Sequence, residues 1–387
     1  MEVDIHNSEH NLKRRMELIK ASKKICEQNK EDIIRFGEYC FAEGLGKPRV
    51  LKYLYHLQFL AMWLRKPFRA VSKDDIVGLV AEIERKDLSD WSKHDYKMAL
   101  KKFFKWLRNS EDYPEEVKWL KIKVVRSKLP EVLTNQEVAS MAEAADNPRD
   151  RAFVLTLFES GCRIGELLPL KMKDVQFDKY GAVLLVYGKT GSIRKRLISS
   201  APALANWLNL HPFKNDKEAF VWIVIGSKHH YGLINYNSAR MILNKLGKRA
   251  GIQKRIYPHL FRHSSATELS NYLTESQLKE HFGWVQGSKM ASIYVHLSGR
   301  NVDDALLKLH GIRTDERKPE VLSARKCPRC AENNDAVSTF CKRCASPLDL
   351  NTALLLDQKT REKDGVVAAV IERLYEKLRG QMDIEKL

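Results

Sequence analysis

The sequence predicts a mainly α-helical protein with a small antiparallel β-sheet, and three features of the chain predict this fold class. Apolar residues recur at spacings of three and four through residues 30–108, as they do on helices that bury one face. Thr134 and Glu137 have the spacing of a capping box, so a helix should begin there. Residues 182–188 and 193–199 form two short alternating or β-branched runs around a glycine-containing turn, which indicates a β-hairpin.

The composition is that of a folded, basic protein. The 387 residues include 67 Lys and Arg against 49 Asp and Glu, a formal net charge of +18. A hydrophobic content of 44% supplies material for packed cores and excludes a disordered polybasic protein. No apolar run approaches the roughly 20 residues that cross a bilayer, and the N-terminus lacks a signal-peptide core. We therefore expect a soluble cytoplasmic protein with no membrane partner, whose charge favours nucleic acid.

The chain divides into five predicted segments. We expect a helical domain at 1–110, a polar, proline-bounded linker at 111–127 and a second domain at 128–311 that contains the hairpin. Two C-x-x-C pairs indicate a small metal-binding module at 325–350. A short apolar seam predicts a helical tail at 351–387, which we expect to dock on a neighbouring domain or another subunit.

The second domain contains candidate phosphate ligands. Arg163 stands where an apolar run ends in Gly161 and the next helix should begin, and a helix N-terminus with a guanidinium favours a phosphate. Glu166 is placed to hold that arginine; the alternative is that the two form an ordinary surface pair. Lys189, at the tip of the hairpin, can be delivered to a phosphate while the neighbouring basic residues follow the DNA backbone. The alternative for Lys189 is a solubilising charged turn.

Candidate proton-transfer groups follow along the chain. His259 and Arg262 stand three residues apart and therefore on one side of a helix, where they can combine an acid or base with a second phosphate ligand. The alternative is a buried histidine beside an exposed arginine. Tyr294 follows Trp284 by ten residues, and a tyrosine in such a segment most often anchors a core.

Together these motifs, in this order, resemble the tyrosine recombinase (phage-type integrase) family. The resemblance covers about residues 128–311, and the preceding helical domain resembles the family's DNA-binding core-binding domain. Phe261 replaces the leucine of the family's histidine–arginine box, Trp284 is the less common residue at its position, and its spacing to the tyrosine is slightly long. The matching residues are Gly161, Arg163, Glu166, Leu167, Lys189, His259, Arg262, His263, Gly283, Trp284 and Tyr294.

The resemblance implies a mechanism. Tyr294 is expected to attack a scissile DNA phosphate, leaving a 3′-phosphotyrosyl intermediate and a free 5′-hydroxyl. Arg163 and Arg262 are expected to bind the non-bridging oxygens and stabilise the transition state. Lys189 is expected to donate a proton to the 5′ leaving oxygen.

Two further roles complete the catalytic set. His259 is expected to act as general base for the tyrosine or to hold the phosphate, and Trp284 to hydrogen-bond the phosphate through its indole N–H and pack the site. Because the sequence has no acidic cluster and no phosphate-cradling P-loop, we expect neither a nucleotide cofactor nor a catalytic metal such as Mg²⁺.

The resemblance also implies partners and alternatives. We expect a homotetramer on paired double-stranded attachment sites, exchanging strands through a Holliday junction, in an integrase of an archaeal mobile element. One alternative is a type IB topoisomerase, which cleaves and religates the same strand. The other is a non-catalytic DNA-binding protein on the same fold.

The cysteines point to a metal. Two C-x-x-C pairs offer thiolates to one tetrahedral ion, so we expect a single structural zinc in a zinc ribbon; disulfides are the alternative. The ribbon is expected to contact DNA through its basic residues or to bind a protein partner. Its ligands are Cys327, Cys330, Cys341 and Cys344. The remaining cysteines are expected to be buried and reduced: Cys26, Cys40 and Cys162.

Overall fold

The computed structural model confirms a mainly helical protein with a small antiparallel sheet. The chain forms two compact units, residues 1–129 and 130–387. Lys189 and the apolar seam predicted for the C-terminal tail lie outside the residues that the structure describes. Those residues are 3–122, 131–188, 191–226, 231–297, 310–311, 322–349, 352–356, 358–359 and 362–363.

The first unit is helical. Its central helices follow the apolar periodicity, while α1 precedes the region in which that periodicity is clear. Ser72 and Asp75 form a capping box that begins α4. The helices are α1 (Ser8–Lys20), α2 (Glu27–Ala42), α3 (Lys47–Leu64), α4 (Lys73–Arg85), α5 (Asp90–Leu107) and α6 (Glu115–Lys118).

An aromatic cluster forms the core of this unit. Phe103 packs edge-on against both Phe36 and Phe68, with ring centroids 5.3 and 4.7 Å apart, and Phe104 lies beside it. All four rings are fully buried. Buried aromatic rings of this size dominate the apolar surface removed from water, so this cluster stabilises the helical unit.

The second unit combines helices with two small sheets. The capping box at Thr134 begins a helix as predicted. The helices are α7 (Asn135–Glu143), α8 (Pro148–Ser160), α9 (Ile164–Leu167), α10 (Ala201–Asn209), α11 (Tyr236–Arg249), α12 (Pro258–Leu269), α13 (Glu275–Phe282) and α14 (Met290–Leu297). The strands are β1 (Val175–Asp178), β2 (Gly181–Gly188), β3 (Gly191–Leu197), β4 (Arg325–Lys326) and β5 (Asn333–Asn334).

The larger sheet has the order β1-β2-β3 and is antiparallel throughout. Gly188 pairs with Gly191, so the predicted hairpin is confirmed, with β3 starting two residues before the predicted run. Strand β1 was not predicted. Its four residues are too few to show an alternating pattern, and three of them are exposed.

Helix α8 lies at the centre of the second unit. Nearly all of its side chains are buried, and it packs against α7, α10 and α12. Because its C-terminal end is buried among these helices, the residues that follow it are placed inside the unit. Cys40 and Cys162 are buried as expected, but Cys26 is exposed: it stands just before α2, and its side chain makes no capping hydrogen bond there. No helix in the described part of the chain is both long and apolar enough for a bilayer.

Candidate functional site

Arg163 directly follows the end of α8 and is held by a carboxylate. Its guanidinium lies 2.6 Å from Glu166 Oε1, and its backbone N–H donates to Glu166 Oε2 at 2.8 Å. The Glu166 side chain is buried while 42% of the Arg163 side chain is exposed, so the arginine is anchored on one side and open on the other. The helix that follows is only Ile164–Leu167, so the anion preference of this corner comes from the guanidinium more than from a helix dipole.

Gly161 permits the turn that places Arg163. Its φ of 56° is left-handed, and a Cβ there would lie 2.3 Å from Phe282 Cε1. Only glycine fits both the backbone conformation and the close approach of the aromatic ring. The end of α8 and the end of α13 therefore meet at this glycine.

Arg262 lies at the bottom of the same site. Its Nη1 donates to the Gly161 carbonyl at 2.8 Å and its Nη2 to the Phe282 carbonyl at 2.6 Å. Only 3% of the residue is exposed, and burial lowers the pKa of its guanidinium to about 10, with the nearby Arg163 charge acting in the same direction. The arginine remains charged at neutral pH. The sequence alternative of an exposed arginine is wrong.

The hydroxyl of Tyr294 contacts Nδ1 of His263. Tyr294 is 3% exposed, and burial raises the pKa of its phenol to about 12 against the opposing effect of Arg262. Burial, followed by the Arg262 charge, lowers the pKa of His263 from its usual value near 6.5. A neutral imidazole therefore faces a protonated phenol, which is the arrangement that a general base and a nucleophile require.

His259 lies one helical turn before His263. The two imidazole rings are perpendicular, with centroids 4.5 Å apart. Desolvation, followed by the charges of His263, Arg262 and Arg163, lowers the pKa of His259 to about 4. His259 is thus a neutral, exposed hydrogen-bonding group beside the arginines.

Three aromatic rings form a stack that ends on the tyrosine. Phe282 stacks on Trp284 with centroids 4.8 Å apart, and Trp284 stacks on Tyr294 at 5.6 Å with planes 3° apart. The Arg262 guanidinium lies 5.0 Å from the Phe282 centroid and 5.6 Å from that of Trp284. The stack fixes the orientation of the Tyr294 ring relative to the buried arginine.

The base of the hairpin turn reaches this cluster. A Cβ on Gly188 would lie 2.8 Å from Glu166 Oε1, so the end of β2 passes directly over the carboxylate that holds Arg163. Lys189 is the next residue along the chain. Its predicted catalytic role stays a prediction.

Lys195 is buried, unlike the basic residues next to it in β3. The sequence placed it among basic residues along the DNA backbone, but it is 0% exposed and faces inward from β3, where its Nζ contacts the His281 carbonyl. Burial lowers the pKa of its ammonium to about 8. The strand period explains this orientation, because Ile193, Lys195 and Leu197 alternate with outward-facing residues.

The two C-x-x-C pairs come together in one cluster. The four sulfur atoms lie within 4.8 Å of one another. The Sγ–Sγ distances of 3.6 Å for Cys327–Cys344 and 3.5 Å for Cys330–Cys341 approach the ~3.8 Å edge of a tetrahedral zinc–thiolate site. The cluster can therefore hold a metal.

The two halves of this cysteine cluster repeat one backbone conformation. Ala331 and Ala345 each follow the second cysteine of a pair with left-handed φ values of 59° and 55°. Each donates its N–H to the carbonyl of the first cysteine of its pair. Asn334 joins the halves, because its side-chain oxygen accepts from the backbone N–H of Lys342 at 2.9 Å, and its side-chain NH₂ donates to the carbonyls of Arg325 and Glu332, which lie on either side of the first cysteine pair.

The cysteine module packs on the second unit through α8. Arg151 donates to Asp335 at 2.7 Å, and both side chains are largely buried. Val337 is buried beside this ion pair. The module is therefore docked within the unit and is not a free appendage.

The sequence did not predict the contacts that two residues of the site make. His263 was quoted in the histidine–arginine box but given no role, although its position one residue after Arg262 places it on the same turn of α12. Lys195 was grouped with surface cations, although the alternation of β3 already indicated an inward direction. Arg163, Arg262, Trp284 and Tyr294 are brought together by the fold.

Comparison with known proteins agrees with this geometry. Residues 131–300 match the phage integrase family. The tyrosine recombinase XerA of Pyrococcus horikoshii is 25% identical over 287 residues, which make up 74% of this chain and 96% of that protein. The alignment is longer than the second unit, so it includes part of the helical unit as well.

Solved structures show the same fold. XerH site-specific recombinase in a post-cleavage complex with a palindromic difH substrate has a TM-score of 0.54 at 18% identity, covering 80% of this chain and 98% of that one. A lambda integrase tetramer bound to a Holliday junction has a TM-score of 0.54 at 16% identity, covering 70% and 78%.

Proposed function

Residues 131–300 form a domain of the phage integrase family of tyrosine recombinases, and from this premise we propose that the chain is a site-specific DNA recombinase. The observation that carries the proposal is the contact between the Tyr294 hydroxyl and His263 Nδ1 beside a buried arginine. A tyrosine that only anchored a core would need neither a neutral imidazole on its hydroxyl nor the charge of a buried guanidinium nearby.

The first chemical step is attack by Tyr294 on a scissile phosphate. His263 accepts the phenol proton, the Tyr294 oxygen bonds to phosphorus, and the 5′ oxygen of the next nucleotide leaves. The products are a 3′-phosphotyrosyl bond and a 5′-hydroxyl. The bond energy is kept in the phosphotyrosine, so rejoining needs no ATP, and the two arginines stabilise the charge that Mg²⁺ stabilises in other phosphoryl transferases.

The arginines stabilise the transition state. Arg163 presents its open side to a non-bridging oxygen while Glu166 holds the other side, and Arg262 keeps a charged guanidinium below it. His259 donates a hydrogen bond to the same phosphate, and the Trp284 indole N–H supplies another. These groups are fixed before DNA binds, and such preorganisation is what makes hydrogen-bond donors effective in a desolvated site.

Lys189 supplies the proton that the leaving 5′ oxygen needs. Support comes from Gly188, where a Cβ would lie 2.8 Å from Glu166 Oε1, so the end of β2 lies beside the carboxylate that holds Arg163. Lysine suits this role because its ammonium is a compact charge on a flexible four-carbon stem.

Strand exchange follows when the 5′-hydroxyl of a second duplex attacks the phosphotyrosine. The lambda integrase neighbour is a tetramer on a Holliday junction, and we propose a tetramer of this chain on two paired double-stranded sites. The net charge of +18 supplies a sequence-independent grip on the DNA backbone, which weakens with salt through counterion release. The protein is then a cytoplasmic, DNA-associated enzyme.

The cysteine cluster holds one structural zinc ion. Cys327, Cys330, Cys341 and Cys344 act as thiolate ligands, and the sulfur spacings support a shared ion over S–S bonds of about 2.05 Å. The ion supplies folding energy to a module too small to bury a core of its own. The Arg151–Asp335 contact then holds the folded ribbon on α8.

A suicide DNA substrate tests the proposed function. Its nicked strand loses a short oligonucleotide after cleavage, so the covalent complex accumulates and migrates as a slower band in denaturing gels. We expect this adduct with the wild-type chain and with Tyr272→Phe, an exposed tyrosine of the same unit, but not with Tyr294→Phe. Absence of an adduct from the wild type, or its persistence in Tyr294→Phe, contradicts the proposal.

A further inference from the structure

Lys195 is a buried lysine that none of the steps above uses. Its side chain is fully shielded from solvent, although lysine is almost never fully buried without a partner. The partner is the carbonyl of His281, which its Nζ contacts. Burying an ammonium group costs free energy, so an ammonium that is nevertheless buried against this carbonyl indicates a specific role for Lys195.

The His281 carbonyl belongs to the end of α13, where backbone acceptors lack intrahelical donors. The N–H groups of Trp284 and Gly283 turn back to the carbonyls of Lys279 and Glu280 at 2.9 and 3.2 Å. The next two carbonyls, those of His281 and Phe282, receive Lys195 and Arg262. Two cations at the negative end of a helix dipole stabilise that end.

The end of α13 also begins the aromatic stack. Lys195 Nζ lies 5.4 Å from the Phe282 centroid, and Arg262 Cζ lies 5.0 Å from it, so the ring has two cations as neighbours. Phe282 stacks on Trp284, and Trp284 stacks on Tyr294. A displacement of the α13 end therefore moves the ring that carries the nucleophilic oxygen.

We propose that Lys195 is a positioning residue that fixes the end of α13 to β3, the second strand of the hairpin, and through the Phe282–Trp284–Tyr294 stack also fixes the nucleophile. The inference rests on the proposed cleavage reaction. Lys195 lies in β3, six residues after Lys189, so the strand that follows the predicted general acid is also the strand that holds the end of α13. Lys195 itself touches neither the phosphate nor Tyr294.

The charge of Lys195 offers a readout that packing alone does not. Its pKa is lowered to about 8, while the pKa of His281 falls to about 3, that of Arg262 to about 10, and that of Cys162 rises. The other charged groups that face it are Glu166 and Arg163. Between pH 7 and 9 the group of this set that changes charge is therefore Lys195, which becomes neutral as the pH rises and then holds the carbonyl less strongly.

Single-turnover cleavage by Lys195→Met tests the proposal. The methionine keeps the length and apolar stem but removes the ammonium. We expect DNA affinity within about 2-fold of wild type and cleavage about 10–100-fold slower, as small misplacement of a nucleophile produces. Lys245→Met, an exposed lysine on α11, is the matched control and cleaves at the wild-type rate.

A 5′-phosphorothiolate substrate isolates the charge effect, because its leaving sulfur needs no general acid and Lys189 drops out. On this substrate we expect wild-type cleavage to fall as the pH rises through about 8. Lys195→Met lacks this alkaline decline, and Lys195→Arg shifts it to higher pH. If Lys195→Met does not fold, the Lys195→Arg profile alone decides.

Three results overturn the proposal: wild-type cleavage by Lys195→Met, a parallel loss of DNA binding and cleavage, or an alkaline decline unchanged in the substituted proteins. Failure of the proposed function is distinct, because the wild-type chain then forms no adduct with either substrate. A wild-type adduct with an unaffected Lys195→Met leaves the recombinase intact and removes only the positioning role.

Discussion

The indole of Trp284 lies parallel to the phenol of Tyr294, with planes 3° apart and centroids 5.6 Å apart. The resemblance to the family suggests that Trp284 is a phosphate ligand. In this fold its ring also supports the ring of Tyr294. The support continues through Phe282 to Gly161, where there is no space for a side chain. The geometry of the nucleophile is thus coupled to the end of α8.

Substituting Trp284 separates its two roles. Trp284→Phe keeps an aromatic ring for the stack but removes the indole N–H, and we expect a loss of cleavage of about 10-fold. Trp284→Ala removes both and should cost more than Trp284→Phe. Single-turnover cleavage at saturating DNA measures the difference; equal rates for the two proteins would show that the stack does not position Tyr294.

His263 is predicted to be the base that activates Tyr294. Replacement by Gln should slow cleavage by about 10²–10⁴-fold, the usual contribution of a general base. Because the pKa of His263 is lowered, the base is available at neutral pH and is lost only as the pH falls through that lowered value. The acidic decline should therefore disappear in His263→Gln.

His259→Gln is the matched control for this assignment, since its ring lies beside that of His263 on the same helix. We expect a smaller loss of cleavage and an acidic decline that remains. A result in which His259→Gln abolishes cleavage while His263→Gln is nearly unaffected would return the role of base to His259.

Lys189 is predicted to protonate the leaving oxygen. Lys189→Ala should slow cleavage of an ordinary phosphodiester strongly, and of a 5′-phosphorothiolate far less, because a thiolate leaves without a proton. The ratio of the two rates, measured for wild type and variant, reports the role. Equal losses on the two substrates would exclude it.

Gly161 is predicted to be required for stability. Gly161→Ala places a Cβ 2.3 Å from Phe282 Cε1 at a left-handed φ, so strain of about 1–2 kcal/mol is joined by overpacking of about 1–3 kcal/mol. Gly251→Ala has a φ of 71° but no atom within 4 Å, so it carries the strain alone. Thermal unfolding should rank Gly161→Ala below Gly251→Ala; the reverse order would contradict the packing described for Phe282.

Metal content tests the cysteine cluster. We expect about one zinc per chain by elemental analysis, and its loss in Cys341→Ser but not in Cys26→Ser, because Cys26 is an exposed cysteine outside the cluster. Without zinc, residues 322–349 should exchange amide hydrogen faster and release Arg151 from Asp335. Full protection of this segment in metal-free protein would contradict a structural role for the ion.

Local signals made part of this fold predictable. The capping box at Thr134 and the hairpin closed by the Gly188–Gly191 pair depend on neighbours in sequence, and both appear where the residues indicate them. Strand β1 could not be predicted from its own residues, because four mostly exposed residues show no alternating pattern. Its extended conformation depends on pairing with β2.

The site was predictable in composition but not in its contacts. The order of motifs identified the residue types, whereas the contact of His263 with Tyr294 joins positions 31 residues apart and depends on how α12 and α14 pack. Burial of Lys195 was available from strand alternation, yet its partner at the end of α13 is a tertiary contact 86 residues away. Residue identity names candidate groups, and only packing assigns their partners.

Mass spectrometry of the covalent complex tests the central claim most directly. After trypsin and nuclease digestion of the suicide-substrate adduct, we predict a peptide of residues 290–300 that carries a nucleotide 3′-phosphate on Tyr294. A nucleotide on any other residue, or the unmodified peptide alone from protein that has cleaved DNA, would contradict the account.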